Sequence, residues 1–188
     1  MAFSRLLDLS KSADEELAHR ARSESAAFEE LYRRHVTRVF RYHLVRTGSP
    51  TEAQDLTTQT FLAALESMAR YRGNNAFAAW LFGIARHKVI DYFRNRKPDV
   101  PLETAVNLPS PDLPPEARAI AQLGLAQLHQ SILKLAPDRA EALVLRFFAG
   151  LSASESGQVM ERSEAAVKML VHRGLRDLRK SLLVTKEE

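Results

Sequence analysis

A chain of 188 residues, 45% of them hydrophobic, is long enough for one medium domain or two small ones and can bury a core. Its 27 Lys and Arg exceed its 23 Asp and Glu by a formal charge of +4, with a pI of about 9.6, a mildly cationic balance compatible with nucleic acid. The lack of cysteine excludes disulfides, thiolate metal sites and cysteine nucleophiles, and no apolar run suits a signal peptide or a bilayer span, so a soluble, cytoplasmic protein without membrane insertion is expected.

Abundant Ala, Leu, Arg and Glu favour helices throughout. Residues 1–20 form an N-terminal extension whose conformation the sequence leaves open. A first helical domain is expected over 21–97. In its first helix, Phe28, Leu31, Tyr32, Val36, Val39 and Phe40 recur at helical spacing, and Gly48 ends it. Ser49-Pro50-Thr51-Glu52 opens the next, with a cap, a proline at the first helical position and a glutamate three residues on. The apolar positions of this second helix include Leu56, Phe61, Leu62 and Leu65. A loop at Gly73-Asn74-Asn75 precedes a third helix from about Ala76 to Lys97, with Phe77, Leu81, Ile84, Ala85, Val89 and Tyr92 facing a core.

Residues 98–115 hold six of the eight prolines, the acids Asp99, Glu103 and Asp112, and no Lys or Arg. Proline removes backbone donors and disfavours helix in the residue before it, so this is a semi-stiff linker that would reach roughly 55 Å if fully extended. A second all-helical domain follows over 116–188. Ala119 to Leu135 is one segment. Asp138 to Phe148 is another, with Asp138 and Glu141 as a capping pair and Gly150 as the stop. Ser152 and Glu155 have capping-box spacing, and Ser163 caps a last helix with Val167, Leu170, Val171, Leu175, Leu178 and Leu182 turned inward.

Two stretches bear on function. The segment from Ser152 onward has the pattern of a helix-turn-helix, in which the second helix fits the major groove. Its outward positions Glu164, Ala165, Lys168, His172, Arg173 and Arg176 share one broad face, which is equally the pattern of a solvated helix. The second stretch, ARHKVIDYFRNRK, puts Arg86, Ile90, Arg94 and Lys97 on one face with His87 and Asn95 beside it. Trp80, Tyr92 and Phe93 lie nearby, where aromatics either stack on unpaired bases or fill a core. No Asp/Glu/His cluster has metal-ligand spacing, and there is no P-loop, nucleophile elbow or carboxylate pair. No metal, no cofactor and no intrinsic catalysis are expected.

The order of parts resembles bacterial RNA polymerase sigma factors of the extracytoplasmic-function type, in the sigma-70 family. The strings AFEELYRRH, EAQDLTTQTFLAAL and FAAWLFGIARHKVIDYFRNRK are similar to region 2 of that family. LVLRFFAGLS and AVKMLVHRGLRDLRK are similar to region 4. The resemblance covers about 25–97 and 130–182, and implies an all-α protein of two domains. It also implies a function: conferring promoter recognition and DNA opening on core RNA polymerase.

By this resemblance Asp55, Leu56, Gln59 and Phe61 belong to the helix that docks on the β′ clamp, with the β flap as a second polymerase contact. Arg72, Asn74, Asn75 and Trp80, with Arg86, Arg94, Arg96 and Lys97, would melt and hold the −10 element. Ser163, Glu164, Lys168, His172, Arg173 and Arg176 would read the −35 element, and the acidic linker would thread toward the polymerase cleft. Promoter DNA and an anti-sigma factor are the further partners implied.

The chain departs from the family at several positions. Thr58 and Gln59 stand where glutamine and glutamate are usual, and Ser156-Gly157 replaces Ile-Ala. Glu161-Arg162 occupies a turn that tends to hold glycine and an aliphatic residue, and Leu170 replaces an arginine. If that turn needs a positive φ, Glu161 is strained there. Two other readings share the helical pattern: a stand-alone helix-turn-helix regulator, and a sigma-like antagonist that holds polymerase without reading DNA. An enzyme is a distant third.

Overall fold

The computed structural model describes residues 9–73, 76–95 and 115–184, with side chains described in 9–73, 76–95 and 123–180. Every regular element among them is helical. Helix α1 spans Asp14–Arg20, α2 Ser25–Thr47 and α3 Pro50–Ser67, followed by a 3-10 turn at Met68–Arg70 and by α4, Phe77–Asn95. The second half contains α5 (Pro115–Leu133), α6 (Pro137–Phe147), α7 (Ala153–Met160) and α8 (Glu164–Val184). The expected linker falls largely outside the described residues, as do Arg96 and Lys97.

Local chemistry sets most boundaries. Gly48 takes a left-handed conformation (φ 70°) and ends α2, while the Ser49 hydroxyl accepts from the Glu52 amide at 3.4 Å to begin α3. Ser152 and Glu155 form a reciprocal capping box at the start of α7, and Gly150 turns at φ 66° just before it. The capping pair expected at Asp138 and Glu141 does not form. Helix α6 starts on Pro137 without a side-chain cap, and Glu141 is instead buried.

Within the N-terminal extension, the described residues are held by burial and by a polar clamp. Leu17 and Ala18 are fully buried. The Arg34 guanidinium donates to the Leu9, Ser10 and Ser12 carbonyls and to Asp14 (2.8 Å), whose other oxygen lies 2.6 Å from His35 Nε2. The His35 hydrogen bond, joined by Arg34, outweighs burial and lowers the Asp14 carboxyl to about 2.

Helices α2, α3 and α4 enclose the first core, around Leu31, Val39, Tyr42, Leu56, Phe61, Phe77, Leu81 and Phe82. The apolar positions of α3 divide between two faces. Leu56 and Phe61 point inward, whereas Leu62 (54% exposed) and Leu65 (51%) point outward. In the second half, Val167 joins the same continuous core and Leu170, Val171 and Leu178 pack partly against it, but Leu175 is exposed.

The two halves pack against each other through α2, α4, α5, α6 and α7. Arg38 donates to the carbonyls of Ala149 (2.7 Å) and Gly150 (3.1 Å) at the end of α6. The buried Tyr42 hydroxyl donates to Glu141 at 2.8 Å, and the Arg46 and Arg86 guanidiniums lie 3.7 and 3.9 Å from that carboxylate. Burial first, and then the Glu141 charge, push the Tyr42 phenol well above its ordinary pKa. His129 of α5 donates its Nδ1–H to the Val45 carbonyl (3.0 Å) and covers Gly48, where an added Cβ would sit 2.5 Å from the imidazole. Among the described residues no helix is long and apolar enough to cross a membrane.

Candidate nucleic-acid interface

The loop before α4 begins with Tyr71, buried beneath the chain, and exposed Arg72, then turns at Gly73 with φ 68°. Helix α4 starts where the Phe77 amide donates to Glu15 of α1 at 3.3 Å. Tyr71, Phe77 and Trp80 cluster with ring centroids 5.0 to 5.9 Å apart, so Trp80 is half core and half open to the loop. Asn74 and Asn75 lie outside the described residues. The structure thus brings Arg72 and Trp80 together at one end of the helix.

Arg94 is at the other end, 14 residues beyond Trp80, or about 21 Å along a helix. It is exposed and paired with Asp91 at 2.8 Å, beside the outward-facing Ile90 and Phe93. Between these ends Arg86 is only partly exposed and faces Glu141 of the second half. One cation of this stripe is therefore engaged by the packing of the two halves.

The second cationic face is α8. Ser163 accepts from the Ala166 amide at 3.2 Å and caps the helix. Lys168, His172, Arg173 and Arg176 are all exposed, and Arg179 and Lys180 extend the row, which the sequence reading did not single out. Glu164 is held by Lys168 at 2.6 Å, and that contact lowers the carboxyl pKa. These two candidate contacts neutralise each other.

The turn before α8 carries the strain expected of it. Glu161 adopts φ 55° and ψ 45°, the one non-glycine residue with positive φ among those described. Gly157 has a purpose that composition conceals. An added Cβ there would lie 2.6 Å from the Arg162 carbonyl oxygen, while the Arg162 amide donates to the Gly157 carbonyl at 2.9 Å. The turn folds directly onto this residue, so the expected cost of glycine in a helix is offset by a close approach that only glycine permits.

A third surface lies on α3. Asp55 and Gln59 are exposed, but Leu56 (4%) and Phe61 (6%) are core residues and support this face from beneath. Leu62, Leu65 and Tyr32 form its apolar part, with the Tyr32 ring edge-on to Phe61 at 4.7 Å. Their hydrophobicity was visible in the sequence, and only the packing shows that it faces solvent.

Residues 31–98 match the model of sigma-70 region 2, and residues 125–178 match that of sigma-70 region 4. The chain is 36% identical over 172 residues to the ECF RNA polymerase sigma factor BldN of Streptomyces coelicolor, covering 89% of this chain and 65% of that relative's length. It is 33% identical over 152 residues to the ECF RNA polymerase sigma factor SigD of Mycobacterium tuberculosis, covering 77% of this chain and 72% of the relative. The chain belongs to the sigma-70 family, in its extracytoplasmic-function branch.

Among solved structures this sigma factor is similar to CnrH, seen in complex with the cytosolic domain of CnrY. The TM-score is 0.73 and the identity 26%, over 94% of this chain and 100% of that one. The sigma factor RpoE of Bartonella quintana, in complex with the anti-sigma factor NepR, shares the fold at TM-score 0.65 and 18% identity over 84% of this chain and 97% of that one. The region 2 match takes in the loop, α4 and the α3 face. The region 4 match takes in the turn and most of α8, and α1 precedes both.

Proposed function

We propose that this sigma factor works in the cytoplasm, directing core RNA polymerase to promoters and opening the DNA there. The observation that carries the reading is two family-matched helical domains, each with a cationic face: the loop and α4 in the first, α8 in the second. In this reading Arg72, Asn74, Asn75 and Trp80 receive unstacked bases of the −10 element, and Arg86, Arg94, Arg96 and Lys97 hold the strand's phosphates. Ser163, His172, Arg173 and Arg176 contact the −35 element, with the Glu164–Lys168 pair at the groove entrance. The chain performs no phosphodiester chemistry, and melting is driven by captured bases and phosphate contacts. Asp55, Gln59, Leu62 and Leu65 supply the polymerase-docking face.

The packed arrangement suits a resting form. Elements named −10 and −35 lie about 25 base pairs apart, or roughly 85 Å at 3.4 Å per pair. A compact chain of this length has a radius of gyration of about 16 Å. The packed form is too small to touch both elements, so polymerase must draw the halves apart and release Arg86 from Glu141. Similarity over 94% of the chain to CnrH, seen in complex with the cytosolic domain of CnrY, supports a protein partner for the packed form, and an anti-sigma factor is the one proposed.

The test is reconstitution with core RNA polymerase on a library of templates. Promoter-dependent initiation is expected, and the reading fails if the complex forms but starts no transcript above the core-alone level. Within that assay, Arg94→Glu with Lys97→Glu is expected to impair opening while leaving assembly intact, as read by permanganate footprinting beside gel filtration.

A further inference from the structure

A cleft of about 510 Å³ lies between α1 and the turn that leads to the loop, lined by His19, Arg22, Ala69, Arg70, Tyr71 and Arg72. Three guanidiniums and an imidazole converge on it, and no carboxylate lines it. Arg22, Arg70 and Arg72 are exposed, and none has an ion-pair partner among the described residues. Of the acids of α1, Asp14 pairs with Arg34 and His35, and Glu15 accepts from the Phe77 amide. Three guanidiniums on a concave site that no carboxylate lines attract an anion with several acceptor oxygens.

The cleft is also mechanically tied to the loop. The His19 ring rests on Gly73, where an added Cβ would lie 2.7 Å from Nε2, and Gly73 has a left-handed φ of 68°. Glu15 caps the start of α4 on the loop's other side. Helix α1 thus fixes both flanks of the loop, and its His19, with Arg22 just past its end, lines the cleft beside it. His19 and Arg22 both precede residue 31, where the region 2 match begins.

We propose that this cleft is a phosphate site built jointly by the N-terminal extension and the turn at 68–72, holding the backbone of the opened promoter strand beside the loop. His19 and Arg22 supply two of its four basic side chains, and His19 also positions Gly73. The proposal rests on the promoter-opening function above and assigns the N-terminal extension a part in it. The same chemistry would also take a free nucleotide or inorganic phosphate, and the test separates these sources.

The assay uses the full chain bound to core polymerase, with a fork template whose −10 segment is single-stranded and, in parallel, a fully duplex template. Arg22→Ala with Arg70→Ala is expected to weaken fork binding about tenfold near 0.1 M salt. It should lower the slope of log affinity against log salt by about 1 to 1.5, since each single-strand phosphate contact contributes about 0.7. Arg22→Lys, which keeps the charge, should retain most of the slope, and polymerase assembly should not change. Equal affinity and slope for the double variant and wild type would overturn the proposal. So would phosphate or mononucleotide at millimolar concentration occupying the cleft while fork binding stays unaffected, because the site would then serve a free anion. Failure of the wild-type complex to initiate at all would instead sink the functional reading beneath it.

Discussion

Glu161 and Gly157 stand in exchanged roles around one turn. The left-handed position that favours glycine is held by a glutamate, and the glycine sits four residues earlier, where the Arg162 carbonyl leaves no room for a Cβ. Glu161→Gly is expected to stabilise the protein by about 1 kcal/mol by relieving the left-handed backbone. Gly157→Ala should cost about 1–3 kcal/mol by overpacking. Thermal melts of the two variants, moving in opposite directions, check this. The strain at Glu161 was legible as a condition, because the family tends to hold glycine at that turn and a glutamate there is strained if the turn needs a positive φ. The need at Gly157 was not, because it depends on a backbone oxygen that only the folded turn brings close.

His43 offers a second residue-scale test. Thr60 gives its hydroxyl proton to the Leu56 carbonyl (2.7 Å), so His43 Nε2–H must donate to Thr60 (3.0 Å), leaving Nδ1 buried without a partner. Burial lowers its pKa from 6.5 to about 3. The unfolded chain therefore takes up a proton below pH 6.5 that the folded one refuses until about pH 3, and stability falls as pH drops through that window. The Asp14 contribution, from a carboxyl lowered to about 2, is present above the ordinary 3.8 and is lost as pH falls from there. Denaturant titrations from pH 7 to 4 should show a decline that His43→Gln flattens; an equal decline in the variant would refute the assignment.

At the scale of single elements, α3 shows where periodicity succeeds and where it stops. Spacing identified the helix and Ser49-Pro50 its start, but an element with apolar residues on two faces has one face too many for a single core. The inner residues Leu56 and Phe61 and the outer residues Leu62 and Leu65 should therefore respond differently. Leu62→Ser with Leu65→Ser is expected to leave stability within about 0.5 kcal/mol while weakening association with core polymerase. Leu56→Ala should cost about 2–5 kcal/mol and lower binding only through loss of fold. Chemical denaturation paired with a pull-down on polymerase separates the two effects. Helix α1 was illegible for a different reason: its seven residues are too few to show a period, and its order comes from Arg34 and His35, distant in sequence.

For the whole molecule, the two domains and the proline-rich break between them were legible from composition and order. Their contact was not. Tyr42, Glu141, Arg38 and His129 are polar residues on helices, and nothing local distinguishes them from solvated positions. Tyr42 and Glu141 are 99 residues apart and meet only because the halves pack. Removing the buried carboxylate should act on that packing first. Glu141→Ala leaves the partly exposed Arg46 and Arg86 facing each other without their counter-charge and the Tyr42 hydroxyl without its acceptor. Parting the halves lets water reach these groups, so the variant is expected to open rather than unfold. Small-angle scattering should then give a radius of gyration above the compact value of about 16 Å, with helical circular dichroism unchanged. An unchanged radius would show that other contacts keep the halves closed.

Arg38 adds a consequence of its own. By bonding the Ala149 and Gly150 carbonyls, just past the C-terminus of α6, it covers acceptors of the neighbouring domain that would otherwise face water. Each separation of the halves hands those acceptors to solvent, and each return takes them back. Carbon-13 carbonyl shifts at Ala149 and Gly150 would then follow those excursions, moving on separation while the Leu151 amide keeps its bond to the Leu145 carbonyl.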